Sequence, residues 1–127
     1  MTRQAISTTA APAAFGPYSQ GIISADLVFC AGQLGVDPTS GELADGVEAQ
    51  AERALRNLGA VLDAAGCSFD DVVKTTIFLA DINDFAAINA IYARFTTDPP
   101  PARSTFQVAA LPKGARIEIE AIARRNG

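Results

Sequence analysis

The sequence predicts a two-layer α/β sandwich, in which two helices cover one face of a mixed β-sheet. Six strand-like segments and two helix-like segments follow one another in the order β-β-β-α-β-α-β-β. The helix-like segments repeat their apolar residues with a period of 3.6, whereas the strand-like segments are short and rich in β-branched residues. Because the chain has 127 residues, 49% of them apolar, we expect one domain spanning residues 1–127.

The first third of the chain is predicted to form three strands, which are Arg3–Ser7, Gly21–Ser24 and Leu27–Leu34. Gly32 interrupts the third strand. Glycine weakens a strand, so its presence indicates either a bulge or a backbone that a ligand approaches closely. The preceding loop, Phe15–Gly21, combines turn residues with a phenol, a hydroxyl and an amide. It is either a turn with a packed Tyr18 or part of a binding site.

Two segments have the apolar spacing of helices. Val47–Ala65 carries an apolar stripe and is followed by Gly66, a residue typical of helix ends. The second helix is predicted to begin after Asp81–Asp84, which supplies helix-start residues, and to run to about Phe95. Asn89 borders the apolar stripe of this second helix. A buried amide needs partners, so Asn89 bonds either the backbone of a nearby strand or a ligand.

The remaining strands are predicted at Val72–Leu79, Ser104–Val108 and Arg116–Arg124. The last one alternates cleanly, with apolar residues on one face and Glu118, Glu120 and Ile122 on the other. The face of the sheet without helices is predicted to carry Phe29, Ala31, Phe78 and Ile122 beside Lys74, Thr76, Thr105, Glu118 and Glu120. Such a face is too apolar for free exposure and too polar for a closed core, so we expect copies of the chain to associate through it.

Composition excludes several classes of function. A net charge of −4 disfavours a nucleic-acid partner, and no apolar run reaches the length needed to span a bilayer. The chain has no histidine and two distant cysteines, Cys30 and Cys67, so we expect neither a metal site nor a disulfide scaffold. The first 14 residues lack the apolar core of a signal peptide. We therefore expect a cytoplasmic protein.

Arg103 is the strongest candidate for ligand binding. It directly follows the stretch Pro99-Pro100-Pro101-Ala102, in which the prolines impose a stiff, extended approach. A planar guanidinium at a fixed position suits bidentate capture of a carboxylate or phosphate. The alternative is a surface arginine at the start of a strand.

Five short motifs make the chain similar to the reactive intermediate deaminase A (RidA or YjgF) family, from about Ala10 to Ala123. They are Gly16-Pro17-Tyr18-Ser19-Gln20, Ala31-Gly32-Gln33, Asp81-Ile82-Asn83-Asp84-Phe85 with Asn89 and Tyr92, Pro101-Ala102-Arg103-Ser104, and Ile117-Glu118-Ile119-Glu120. The resemblance implies a chorismate-mutase-like fold and a homotrimer with active sites in the clefts between subunits. It also implies hydrolysis of 2-imino acids, formed from 2-aminoacrylate and 2-aminocrotonate, to 2-oxo acids and ammonia without a cofactor.

The resemblance also assigns roles to individual positions. Arg103 matches the arginine that grips the substrate carboxylate, and Glu118 matches the glutamate that helps to hold the attacking water. Tyr18 matches a tyrosine that lines the pocket from a neighbouring subunit. Gly32 matches a glycine whose backbone faces the ligand, and Asn89 matches an asparagine beside the pocket. The alternative role for Glu118 is a simple ion pair with Arg103 or with the arginine at position 116.

Two positions depart from the pattern of the family. Thr105 stands where many members carry cysteine, and Ala31 stands where many carry serine. Both positions are expected to contact the substrate, so these changes bear on substrate range. They leave open a relative specialised for a catabolic imine, such as an aminomuconate-type deaminase. A ligand-sensing or protein-binding trimer without turnover is the other alternative.

Overall fold

The computed structural model describes residues 2–125 and contains a six-stranded sheet in the order β1-β2-β3-β6-β4-β5. The strands are β1 (Arg3–Ile6), β2 (Gly21–Ser24), β3 (Leu27–Leu34), β4 (Val72–Leu79), β5 (Ala102–Gln107) and β6 (Ile117–Arg124). The helices are α1 (Val47–Ala64) and α2 (Phe85–Ala93), with short 3₁₀ turns at Phe69–Asp71, Ile82–Asp84 and Pro112–Gly114. The element order and types confirm the predicted fold class.

The sheet is mixed because of one crossover. Strands β4 and β5 pair in parallel and are connected through α2, whereas every other pair of neighbouring strands is antiparallel. Parallel neighbours need such a crossover, since a tight turn can only join antiparallel strands. The β4–α2–β5 unit places Arg103, which closely follows the triple-proline segment, against Asn89 of α2.

One face of the sheet, here called the helix face, packs against α1 and α2. Its buried apolar residues interlock with those of α1, whose Leu55, Leu58 and Leu62 are almost completely buried. In β6, Ile117, Ile119, Ala121 and Ala123 are buried, as the alternating pattern predicted. The opposite surface, the open face, has no element of residues 2–125 packed as a second layer over it.

The predicted location of Thr105 on the open face is wrong. Thr105 pairs with the buried Ile77, and paired residues project to the same side of a sheet, so Thr105 lies on the helix face. Ser104 and Phe106 occupy the open face instead, where Lys74 Nζ donates to Ser104 Oγ at 3.0 Å. Strand β5 has no apolar alternation that could reveal its facing, so its parallel register with β4 decides the matter.

The open face exposes aromatic and aliphatic side chains. Phe29 is 42% exposed and Phe106 is 45% exposed, and the Phe106 ring meets Phe78 edge-on at 5.3 Å between centroids. Clustered exposed aromatic groups of this kind mark interaction surfaces. Over residues 2–125, neither helix is both long and apolar enough to cross a membrane.

Candidate active site

Arg103 lies at the start of β5 and its guanidinium is held by α2. Nη2 donates a hydrogen bond of 2.7 Å to Asn89 Oδ1. The guanidinium carbon lies 5.3 Å from the centroid of the Phe85 ring and 4.9 Å from that of Tyr92, within the range of cation–π attraction. Three contacts from α2 therefore hold the side chain in place, which a simple surface arginine would lack.

The helix period explains how one short helix supplies all three contacts. Phe85, Asn89 and Tyr92 stand at positions i, i+4 and i+7 and so share one face of α2. Asn89 bonds the guanidinium of Arg103, so the interpretation of Asn89 as a partner of strand backbone is wrong. All three contacts come from uncharged groups, so the positive charge of Arg103 is oriented but not neutralised.

Thr105 brings a second polar group to the same side of β5. It lies two residues after Arg103, and side chains at this spacing project to the same face of a strand. Its Oγ1 is buried and has no hydrogen-bond partner. Buried hydroxyl groups normally find partners, because leaving one unpaired costs free energy. Thr105 and the free N–H groups of Arg103 thus form a pair of unsatisfied polar groups on one surface.

Glu118 rests on Gly32 at the open face. A Cβ atom added to Gly32 would lie 2.6 Å from Glu118 Oε2, so the carboxylate occupies the space that any side chain at position 32 would need. The ladder between β3 and β6 shifts register between Cys30 and Gln33, so the first of the two alternatives for Gly32, a bulge, is present. The absence of a side chain at position 32 is what lets the carboxylate lie this close to the bulged backbone.

Burial raises the pKa of the Glu118 carboxyl above its ordinary value, and the neighbouring charge of Glu120 raises it further. No ion pair involves Glu118 anywhere in residues 2–125, and Arg116 instead pairs with Asp84 at 2.8 Å. The ion-pair interpretation of Glu118 is therefore wrong. A half-buried carboxylate without a cation has the environment of a general base rather than of a structural ion pair.

Arg103 and Glu118 lie on opposite faces of the sheet. Arg103 pairs with Thr75, whose Oγ1 is hydrogen-bonded to the Tyr92 hydroxyl of α2, so both residues are on the helix face. Glu118 alternates with the buried Ile117 and pairs with Phe78 on the open face. Within one chain, the two residues therefore belong to two different surfaces.

The Tyr18 loop is presented to solvent. Tyr18 is 56% exposed, so the interpretation of this segment as a turn with a packed tyrosine is wrong. The loop is anchored by Gln20, whose buried amide accepts from Thr8 N at 2.7 Å and donates to the carbonyl groups of Thr8, Ala11 and Pro12. The Gln20 carbonyl also accepts from Ala31 N at 2.9 Å, which ties the loop to the strand next to Gly32.

Two features of the site escaped the sequence-based predictions. The sequence placed Phe85 and Tyr92 in a family motif but gave them no role in binding, yet both contact the Arg103 guanidinium. Their spacing with Asn89 on one helix face was the available signal. The structural role of Gln20 had no such signal, because the carbonyl groups that it bonds acquire their positions only in the folded loop.

The cysteines do not add a reactive group to this site. Both Cys30 and Cys67 are buried free thiols, and burial, with a smaller effect of Cys67, raises the pKa of Cys30 to about 12. No cluster of three or more histidine, cysteine or acidic side chains that could hold a metal ion occurs in the part of the chain that the structure describes.

Comparison with known proteins identifies the family. The family described as Endoribonuclease L-PSP matches residues 8–125. A 2-iminobutanoate/2-iminopropanoate deaminase of Homo sapiens is 53% identical over 124 residues, which cover 97% of this chain and 90% of that protein. The protein of the same name from Salmonella typhimurium is 50% identical over 124 residues, covering 95% of this chain and 97% of its own.

Solved structures agree with this assignment. E. coli TdcF with bound serine superposes with a TM-score of 0.92 at 45% identity, covering 97% of this chain and 99% of that one. The YjgF gene product of E. coli superposes with a TM-score of 0.92 at 47% identity and the same coverage. The match of both sequence and fold, over nearly the whole length, shows that this chain belongs to the Endoribonuclease L-PSP family, the RidA (YjgF) family whose motifs it carries.

Proposed function

We propose that this protein is a 2-iminobutanoate/2-iminopropanoate deaminase, which hydrolyses reactive 2-imino acids to 2-oxo acids and ammonia. Curated relatives of this name are 50–56% identical to the chain over almost its entire length. The structural observation that carries the proposal is the guanidinium of Arg103, which uncharged neighbours hold in place while most of its N–H groups lack an acceptor among residues 2–125. Such a group is prepared to receive the carboxylate that every 2-imino acid has.

The substrate carboxylate binds the free N–H groups of Arg103 in this proposal. The hydroxyl of Thr105 faces the same side and gains a partner when the ligand arrives. Because the guanidinium is already oriented by Asn89, Phe85 and Tyr92, little conformational entropy is lost on binding. The reacting C=N carbon, adjacent to the carboxylate, is thereby held at a fixed distance from the strand.

Glu118 acts as the general base in the proposed reaction. Its carboxylate accepts a proton from a water molecule as the water oxygen adds to the C=N carbon, and returns this proton to the nitrogen, which gives a carbinolamine. The carboxylate then takes the remaining hydroxyl proton and delivers it to the amino group, so that the C–N bond breaks and ammonia leaves as the C=O bond forms. The raised pKa of Glu118 makes its carboxylate a stronger base than an exposed glutamate, and the returned proton leaves it ready for the next turnover. The steps consume one water and require no redox partner or organic cofactor.

The location of Arg103 and Glu118 on opposite faces supports a site shared by two copies of the chain. A substrate bound at Arg103 on the helix side of β5 meets the open face of a neighbouring copy, which brings that copy's carboxylate to the C=N carbon. The exposed aromatic residues Phe29 and Phe106 support association through this face. We propose a homotrimer of single-domain, cytoplasmic chains, in which Asn89 lines each site beside Arg103, and Tyr18, Ala31 and Gly32 line it beside Glu118 of the neighbouring copy.

Other functions receive less support. The family is named after an endoribonuclease, but the net charge of −4 disfavours RNA binding, and the chain has no histidine, the commonest acid–base residue. A specialised imine substrate is the alternative that Ala31 and Thr105 leave open, because Ala31 precedes Gly32 and Thr105 lies on the same side of β5 as Arg103. Comparing the turnover of imines with short and long side chains separates the two kinds of deaminase.

A coupled assay tests the proposal. A threonine dehydratase generates 2-iminobutyrate in the presence of the purified protein, and the appearance of 2-oxobutyrate is compared with spontaneous hydrolysis. We expect a clear acceleration that Arg103→Ala abolishes. Arg56→Ala is the matched control, because Arg56 also lies over an aromatic ring, that of Phe95, but on the outside of α1. No acceleration by folded wild-type protein would contradict the proposal.

A further inference from the structure

Three residues, Arg103, Thr75 and Tyr92, form a closed circuit of contacts, and Phe85 adds a further contact to the guanidinium. The backbone of Arg103 pairs with Thr75 in the β4–β5 ladder. Thr75 Oγ1 and the Tyr92 hydroxyl share a buried hydrogen bond of 2.7 Å, and the Tyr92 ring returns to the guanidinium at 4.9 Å. Phe85 covers the guanidinium at 5.3 Å. Each group in the circuit thus restrains the next one.

We propose that Phe85 and Tyr92 are positioning residues that fix the plane of the Arg103 guanidinium for a planar carboxylate, with Thr75 locking the Tyr92 ring. The proposal rests on the proposed function, because it assigns a task to residues that act only through Arg103. Core packing alone does not account for Phe85, which is 39% exposed and yet lies against the guanidinium. Core packing also does not explain why the Tyr92 hydroxyl is hydrogen-bonded to Thr75, the residue that pairs with Arg103 in the sheet.

The chemistry of the circuit shows why aromatic rings are used. A carboxylate partner would also orient the guanidinium, but it would neutralise the charge that the substrate needs. A ring face attracts the cation while leaving its N–H groups free at the edge of the plane. An arginine held in this way keeps both its charge and its bidentate geometry available.

The consequence is measurable as selectivity for a charged carboxylate. The probes are 2-oxobutyrate and its uncharged amide, whose affinities are measured by calorimetry in parallel with imine turnover. The variants are Tyr92→Leu and Phe85→Leu, with Tyr92→Phe and Thr75→Val for the hydrogen bond alone. Phe95→Leu is the matched control, because Phe95 also packs partly in the core and lies under an arginine, at 5.9 Å from Arg56.

We expect wild type to bind the carboxylate more tightly than the amide. Loss of either ring should reduce this preference and raise KM by about 5- to 20-fold, with kcat changed by less than about twofold, because the lost interaction is present in substrate and transition state alike. Tyr92→Phe and Thr75→Val should each raise KM by about two- to threefold, and their effects should not be additive, since both remove the same hydrogen bond. Phe95→Leu should change only the thermal stability.

The outcomes separate this inference from the function on which it rests. Unchanged carboxylate preference in Phe85→Leu and Tyr92→Leu, with the preference lost in Arg103→Ala, would overturn the positioning role and leave the anchor intact. A wild-type protein without any carboxylate preference would overturn the anchor and the positioning role together. Because Phe85 is partly exposed, its leucine variant gives a decisive result even where Tyr92→Leu fails to fold.

Discussion

Replacing Gly32 by alanine moves the Glu118 carboxylate without removing it. The new Cβ would lie 2.6 Å from Glu118 Oε2, 2.8 Å from Cδ and 3.0 Å from Cγ. The closest of these distances is about 0.8 Å shorter than an ordinary van der Waals contact, so the side chain must shift by about that amount. The obstacle is the far end of a flexible side chain, so the fold can accommodate the change. We expect the free energy of unfolding to change by less than about 1 kcal/mol.

The effect on catalysis should be much larger than the effect on stability. A displacement approaching 1 Å of a group that holds the attacking water costs on the order of 100-fold in rate. The coupled 2-oxobutyrate assay should therefore show kcat reduced about 30- to 100-fold, with KM nearly unchanged because Arg103 is untouched. Gly59→Ala is the control, since its Cβ would meet the Phe69 ring at 3.1 Å, in a place remote from Glu118.

The same measurement in a Glu118→Gln background identifies the cause. Once the carboxylate is absent, Gly32→Ala should reduce the rate by less than about twofold further, because the two changes remove one function. Gly32→Ala with a rate within threefold of wild type, or with an undiminished effect in the Glu118→Gln background, would refute the reasoning. In either case the position of the Glu118 carboxylate would not govern the placement of water.

Three further predictions concern neighbouring groups. The acid limb of kcat/KM should shift to lower pH in Glu120→Gln, because the negative charge that helps to raise the pKa of Glu118 is then removed and the Glu118 carboxylate persists in more acidic solution. A pH–rate profile with an unmoved acid limb would contradict this. Thr105→Val should raise the free energy of unfolding by about 1 kcal/mol and weaken 2-oxobutyrate binding severalfold, because it removes a buried hydroxyl that only the ligand satisfies. Denaturant titration measures the first effect and calorimetry the second, and tighter binding of 2-oxobutyrate would argue against the pocket. Gln20→Ala should lower the free energy of unfolding by about 2–4 kcal/mol at a fixed protein concentration, since the Gln20 amide makes four hydrogen bonds to the N-terminal loop. A loss below about 1 kcal/mol in a denaturant titration would be too small for such an anchor.

The spacing of apolar residues predicted the helices and strands well, because burial of one face of each element requires that spacing. The stripe of α1 and the alternation of β6 each match a buried face, and their predicted ranges differ from the observed ones by one residue. Strand β5 lacks that information. Its one large apolar residue, Phe106, lies on the open face rather than on the helix face, so the facing of β5 follows from its register with β4, which no local pattern contains.

In the site, too, local features were predictable from the sequence, whereas contacts between distant elements were not. The bulge at Gly32 was predictable, because glycine weakens a strand and is typically found there at a bulge or a close approach to the backbone. The contact of Asn89 with Arg103 was not predictable, since it depends on how α2 and β5 are positioned relative to each other in the folded chain. The separation of Arg103 and Glu118 onto opposite faces likewise emerges only from the complete sheet order.

Mixing two inactive variants tests the central claim most directly, namely that each active site combines Arg103 of one copy with Glu118 of another. Arg103→Ala and Glu118→Gln proteins are denatured, combined in equal amounts and refolded together. Random assembly should restore about a quarter of wild-type imine hydrolysis, because one interface in four then joins an intact Arg103 to an intact Glu118. Activity that stays at the level of the separately refolded variants, from mixed oligomers of verified composition, would place both residues in a single chain and contradict the account.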